Sequence, residues 1–310
     1  MANAAAVCDI PRIHFSNLRQ GTTIVDVVIH LGFHKTGTTL IQSLYNTIDV
    51  TPSCKYTTTR TPGYLELQNT IKSWRSKQNL RPAAIQKVKA KFSSLLETVP
   101  QPSLRLSNEN LVGHLPFSNK ERDFPGLYAS LEHQIERLDK IFDEHNVRYI
   151  LSTRDTTAFI YSAYCDTIYN GKRNITLSEY IELINVAEFQ PKTLRQRVKR
   201  TTSNPVTQVD MSLLHTNGAA YLETFLHKND AHHAQGAADK RVNQRPPHHQ
   251  LAAMRQLAPF DPNDKVAIRR ELIARLPKKA APVDDDVVLT SAHRARIAAL
   301  IAAQSPSASP

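Results

Sequence analysis

Gly32 and Gly37 enclose Phe33, His34, Lys35 and Thr36, and Thr38 and Thr39 follow at once. An ammonium group and three hydroxyls thus crowd a short stretch whose glycines let the backbone curl. That combination suits an anion, since backbone N–H groups, hydroxyls and a cation all favour negative charge. Arg154 and Ser162 form a second set, eight positions apart. They converge on one anion if Arg154 ends a strand and Ser162 lies in the helix after it. A guanidinium grips a phosphate through two parallel hydrogen bonds, which an ammonium cannot do. The plainer reading pairs Arg154 with a nearby carboxylate and turns Ser162 to helix backbone. Glu109 in Ser107-Asn108-Glu109-Asn110-Leu111 is a candidate general base, with His114 and His34 as alternatives. An exposed glutamate at pKa ~4.3 is a weak base for a hydroxyl, so burial would have to raise it. Its plainer role is a carboxylate at a helix N-terminus.

These residues need elements to hold them. Ile24 to Leu31 is apolar or β-branched except at Asp26 and His30, which suits a strand buried on both faces. Leu40, Ile41, Leu44, Tyr45 and Ile48 then recur at helical spacing. The glycine-bounded turn therefore sits between a strand end and a helix N-terminus. Further strands are predicted at Ser103–Ser107, Val147–Thr153 and Val206–Val209, with a short one at Cys54–Tyr56. Helices are predicted at 64–74, 82–99, 127–145, 156–169, 177–188 and 221–226. The 177–188 helix opens on a capping box, Thr176 with Glu179. Two or three more close the chain, at 250–257, 262–276 and 290–304. The alternation predicts an α/β fold, a three-layer P-loop-type parallel sheet of about four to five strands flanked by helices. Residues 1–23 read as a lead-in, 24–245 as the α/β domain, 246–304 as C-terminal helices packed on it, and 305–310 as a disordered tail. Ligands of such sheets bind outside the carboxyl ends of the strands. The 32–39 turn, Glu109 and Arg154 should meet there, with the helices of 64–99 over the mouth, shaping acceptor access.

The 310 residues carry a formal charge of +11, which favours anionic partners. No nucleic-acid motif with interleaved aromatics is present, so nucleic acid is not expected. No apolar run is long enough to span a membrane, leaving at most peripheral association. The first residues lack a signal-peptide pattern, and Cys8, Cys54 and Cys165 suggest neither a disulfide framework nor a metal site. A cytoplasmic protein is the expectation. Lys192 to Arg200 holds five basic residues and no acid, either a solvated helix face or a surface for an acidic glycan. His232, His233, His248 and His249 lack ligand spacing, so no metal is expected there.

The pattern G-x-x-K-[TS]-G-T-T resembles the 5′-phosphosulfate loop of sulfotransferases that use 3′-phosphoadenosine 5′-phosphosulfate (PAPS). In the nucleoside-triphosphate loop a lysine follows the second glycine; here Thr38 holds that place and the lysine is Lys35. The run from Arg154 to Tyr164, RDTTAFIYSAY, is similar to the family's 3′-phosphate motif. SNENL resembles the S-x-E-x-L of bacterial and carbohydrate sulfotransferases, whereas cytosolic members carry a histidine at that strand end. Asp239 to Pro246 is similar to the R-x-N-x-[SR] segment of bacterial members. The resemblance implies PAPS as donor, the bisphosphate PAP as product, no metal requirement and a hydroxyl acceptor, here a carbohydrate. It implies Phe33, His34, Lys35, Thr36, Gly37, Thr38 and Thr39 around the 5′-phosphate, and Arg154, Ser162 and Arg241 at the 3′-phosphate, with Lys240 and Arg245 as further candidates. Lys35 would neutralise charge on the leaving oxygen and Glu109 would take the acceptor proton. A P-loop kinase or nucleotide hydrolase and a non-catalytic polyanion-binding protein are the competing functions.

Overall fold

The apolar run after Ile24 becomes the central strand of a five-stranded sheet. The computed structural model describes residues 24–58, 60–61, 63–74, 81–97, 101–117, 126–169, 175–235, 237, 248–257 and 287–304. Strand β1 (Asp26–His30) lies between β3 (Ser103–Ser107) and β4 (Asn146–Thr153). β2 (Lys55–Thr58) extends the sheet beyond β3, and β5 (Val206–Asp210) beyond β4. The order β2-β3-β1-β4-β5 is parallel throughout. His30 sits opposite Ser107 on one side and Ile150 on the other, so β4 runs on past the end of β1.

Successive side chains leave the sheet on opposite faces, and the core divides accordingly. Val27, Ile29, Leu104, Leu106, Tyr149 and Leu151 join one apolar cluster. Val28, Ile150, Tyr56 and Val209 join another, with helix α1 (Thr38–Ile48) packed through Leu40, Ile41 and Leu44. Two buried faces make three layers, as the alternation of strands and helices required.

Helices α2 (Tyr64–Ser73) and α3 (Pro82–Glu97) follow β2. α2 meets the short 3-10 turn Glu109–Leu111, whereas α3 packs on α2 and on α4 (Leu131–Ile141). The predicted helix 127–145 is shorter at both ends. Tyr128 takes φ 52, outside helical space, and a side chain on Gly113 would come within 2.9 Å of the Tyr128 Cα. After α5 (Thr156–Tyr169) the expected capping box is present: the Glu179 N–H donates to the Thr176 hydroxyl at 3.1 Å and the Thr176 N–H to the Glu179 carboxylate at 2.6 Å. The predicted 177–188 helix is interrupted, however. α6 (Leu177–Leu183) ends early, Ile184 is extended, and a 3-10 turn from Val186 to Phe189 starts on the Asn185 side chain.

The basic stretch 192–200 is helix α7 (Pro191–Thr201), burying Leu194 and Val198. α8 (Ser212–Thr216), absent from the sequence reading, precedes α9 (Gly218–Glu223), and the polar 227–250 region contains a 3-10 helix, Lys228–Ala234. α10 (His248–Leu257) packs on α5, and α11 (Ser291–Gln304) on α6 and the 186–189 turn. Among the described residues, no helix is long and apolar enough to cross a membrane. The lead-in 1–23, the predicted helix 262–276 and the tail 305–310 lie outside the described residues.

One arginine of α7 faces inward. Arg197 donates to both oxygens of Glu132, at 2.6 and 2.8 Å, and to the carbonyls of Leu127 and Tyr128, both at 2.8 Å. Its guanidinium holds the Glu132 carboxyl below the usual range. Removing it strands two carbonyls and a partly buried carboxylate. Arg197→Met should lower the unfolding free energy by about 2–4 kcal/mol in urea titration. Arg200→Met, at an exposed position one residue past Lys199, should stay within about 0.5 kcal/mol of the parent protein.

Candidate active site

The glycine-bounded turn leaves β1 at the carboxyl edge of the sheet and feeds directly into α1. A side chain on Gly32 would lie 2.6 Å from the Thr38 hydroxyl and 2.8 Å from the His30 ring, so only glycine fits. Gly37, at φ 80, caps α1 in the left-handed conformation, and no side chain caps that helix. At the start of α1 the Leu40 and Ile41 N–H groups donate to the Gly37 carbonyl, at 3.0 and 3.3 Å, and the helix opens on the turn with the partial positive charge that suits an anion.

Three side chains from distant elements hold the turn's backbone at consecutive residues. The His34 N–H donates to the Tyr128 phenol oxygen at 2.8 Å. The Lys35 carbonyl accepts from the Arg154 guanidinium at 3.1 Å. The Thr36 carbonyl accepts from the Tyr221 hydroxyl at 2.8 Å. Lys35 is thereby kept at φ 66, a conformation that costs a non-glycine residue on the order of 1 kcal/mol.

Some of the expected ligand groups are turned inward. Phe33 is fully buried, its ring 4.9 Å from that of Tyr128, so it offers a ligand only backbone. The hydroxyls of Thr36 and Thr38 both donate to the Phe33 carbonyl, the second at 3.4 Å, and brace the turn from within. Thr39 is exposed on the first turn of α1, and His34 and Lys35 are half-buried. The expectation of three outward hydroxyls thus reduces to Thr39. A carbonyl enclosed by a tight turn takes the nearest hydroxyls, since leaving it bare in the interior is costly.

Lys35 reaches across to α5, its Nζ 2.5 Å from the Asp166 carboxylate. Asp166 lies one helical turn beyond Ser162. Ala158, Ser162, Asp166 and Tyr169 are half-buried, whereas Phe159, Ile160, Ala163, Tyr164 and Cys165 are buried. The open stripe of α5 that carries Ser162 is therefore the one facing the turn. Arg154, where β4 ends, joins the same group through the Lys35 carbonyl. Asp155 caps α5 instead, accepting the Ala158 N–H at 2.8 Å.

On the other side, Glu109 opens the 3-10 turn after β3 and is half-buried. The Gln42 side chain, on α1, donates to it at 2.5 Å. Burial, and secondarily the Glu109 charge, raise the Tyr128 phenol well above its ordinary pKa. Asn108 fixes the turn, accepting the Asn110 N–H at 2.9 Å and donating to Gln68 of α2 at 2.7 Å. His114 is half-buried in the segment that follows. The structure thus brings together the 32–39 turn, Glu109, Arg154 and the Ser162 stripe on one edge. Arg241, with Lys240 and Arg245, lies outside the described residues.

No protein-family model matches the chain, and no curated protein matches its sequence. The chemistry of the edge has to be argued from its own residues.

Beneath the turn, His30 is fully buried between Ser107 of β3, at 2.9 Å, and Ser152 of β4, at 2.7 Å. Ser152 lies 3.5 Å from the Tyr221 hydroxyl that holds Thr36. Sequence reasoning saw His30 only as a break in an apolar run. It had no signal for Tyr128, Tyr221 or Gln42, whose partners are far away in the chain, and it did not single out Asp166, for which the spacing from Ser162 is the one local clue.

Burial lowers the His30 pKa to about 3, from an ordinary 6.5. The unfolded chain therefore binds a proton that the folded one refuses between those values. The stabilisation is fully present above pH 6.5 and declines as pH falls toward 3. Comparing the parent protein with His30→Asn, the parent should show an extra slope approaching about 1.4 kcal/mol per pH unit in that window. Urea titrations at several pH values measure it, and parallel pH curves would remove His30 as the source.

Proposed function

We propose that the chain is a sulfotransferase that moves a sulfuryl group from PAPS to a carbohydrate hydroxyl. One observation carries the reading. Lys35 lies inside the glycine-bounded turn, and its own carbonyl is held by Arg154. A cation suited to a 5′-phosphate and a guanidinium suited to a 3′-phosphate are thus one hydrogen bond apart. The missing lysine at position 38 weighs against a nucleoside triphosphate.

The residues present fit the donor's two anionic ends. The uncapped N-terminus of α1 and the exposed Thr39 offer donors for the 5′-phosphate. Arg154 and Ser162 would hold the 3′-phosphate, joined by Arg241 from its basic stretch. When bound, PAPS supplies an activated sulfuryl group on a phosphate leaving group. Lys35 stabilises charge growing on the leaving oxygen, and for this it must swing from Asp166. The lysine side chain is 32% exposed and that of Asp166 17%, so the swing breaks a partly buried pair, and the incoming phosphate charge replaces the carboxylate as the lysine's partner. Glu109, oriented by Gln42, accepts the proton of the acceptor hydroxyl, with His114 and His34 as the alternatives. The chain's part is then alignment and fixed charge, as in phosphoryl transfer. Cys54 and Cys165 are buried and not joined in a disulfide, in keeping with a reducing compartment such as the cytoplasm.

Calorimetry with PAP in EDTA, followed by transfer of labelled sulfate from PAPS to pooled glycans, tests this. PAP should bind without Mg²⁺. Lys35→Ala should cut transfer by about 10²–10³ while PAP affinity stays within about tenfold. Arg154→Ala should weaken PAP by about 10–100-fold. Mg²⁺-dependent ATP binding with no PAP binding overturns the reading.

A further inference from the structure

Resting on the glycan reading above, we infer that a groove along α7 binds an acidic polysaccharide chain through Lys192, Arg195 and Lys199. The groove, about 520 Å³, lies against α7, the N-terminus of α5 and the edge strand β5. The three cations recur at i, i+3 and i+7 and so share one helix face. They span about 10 Å along the axis at 1.5 Å per residue. All three are exposed, and among the described residues none makes an ion pair. Arg197, on the opposite side of the helix, is fully engaged. The helix thus sorts its basic residues into a structural one and an unpaired row.

The rest of the lining points to the ligand. Gln190, Gln196 and Gln208 supply amides, and no acidic side chain lines the groove. Amides beside cations suit a chain bearing both hydroxyls and carboxylates or sulfates. No aromatic side chain lines it either, so the stacking platform of a single-stranded nucleic acid is missing. Seven of its nine lining residues are polar or charged, and Pro191 and Ile301 alone are apolar, unlike the face of large apolar side chains that a lipid surface takes. It includes Thr156 and Pro191; Thr156 is two residues from Arg154, and Pro191 lies near Thr36 and Arg154 across a gap too small for water. A chain lying in the groove is thus led toward the carboxyl edge of the sheet. Cations lining a concave wall also focus the local potential and raise the concentration of an anionic chain there.

The test measures binding alone, with fluorescein-labelled oligogalacturonate, a chain of carboxylates without sulfate, read by anisotropy on the full chain. The parent protein should bind it, with affinity falling as salt rises. The triple variant K192Q/R195Q/K199Q should lose about tenfold or more. A second triple, K87Q/K228Q/R294Q, removes the same charge from exposed positions elsewhere and should lose under about threefold. PAP affinity should be unchanged in both. If the groove triple unfolds early, its three single substitutions carry the measurement. Equal loss in the two triples, no loss in the first, no binding by the parent, or tighter binding of a thymidine oligonucleotide overturns the groove. Groove-dependent binding of the probe without any PAP binding leaves the groove standing and removes the sulfotransferase reading.

Discussion

The backbone of residues 34–36 is held at each residue by a side chain from a different element. Tyr128 takes the amide of His34, Arg154 the carbonyl of Lys35 and Tyr221 the carbonyl of Thr36. A turn with only its own hydrogen bonds would relax away from the left-handed conformation at Lys35. Held three ways, it keeps its N–H groups converging before any anion arrives. Such preorganisation is what separates an anion site from a glycine-rich loop, because no free energy is then needed to order it on binding. The same grip sets where the Lys35 side chain begins, and so why it finds Asp166.

The holding groups are themselves held. Tyr128 stands on Gly113 with its carbonyl fixed by Arg197, so α7 acts on the turn through Tyr128 as well. Tyr221 lies beside the Ser152 hydroxyl that also meets His30. Arg154 needs β4 to run past β1 so that it can reach back over the turn. The site thus depends on the register of three strands and on two helices outside the motif.

What was legible in the sequence follows from distance along the chain. The turn, the strand ends and the capping box are local patterns, and they appear where the residues indicated. The contacts holding the turn span 94, 119 and 185 positions, and no local pattern reports them. Two helices were read as too long because apolar periodicity continues past their ends, through Tyr128 in one and Ile184 in the other. Backbone conformation decided both: the left-handed Tyr128 over Gly113, and the Asn185 cap. Thr36 and Thr38 misled in another way. Residue type revealed hydroxyls but not the nearby Phe33 carbonyl that claims them. Lys192 to Arg200 read as one basic block, yet a helix divides it by face, and only burial separates Arg197 from its neighbours.

His30 has a consequence for how the chain assembles. Its two hydrogen bonds reach partners 77 and 122 positions away, on the strands either side. Both form only when β1, β3 and β4 are in their native alignment. A slip of one residue would turn His30 to the other face and leave a buried imidazole with no partner. Apolar strands such as these pair almost as well in several alignments, so hydrophobic burial alone corrects such an error poorly. The histidine works as a proofreading mark at the centre of the sheet: a mispaired sheet carries a penalty that the native alignment avoids.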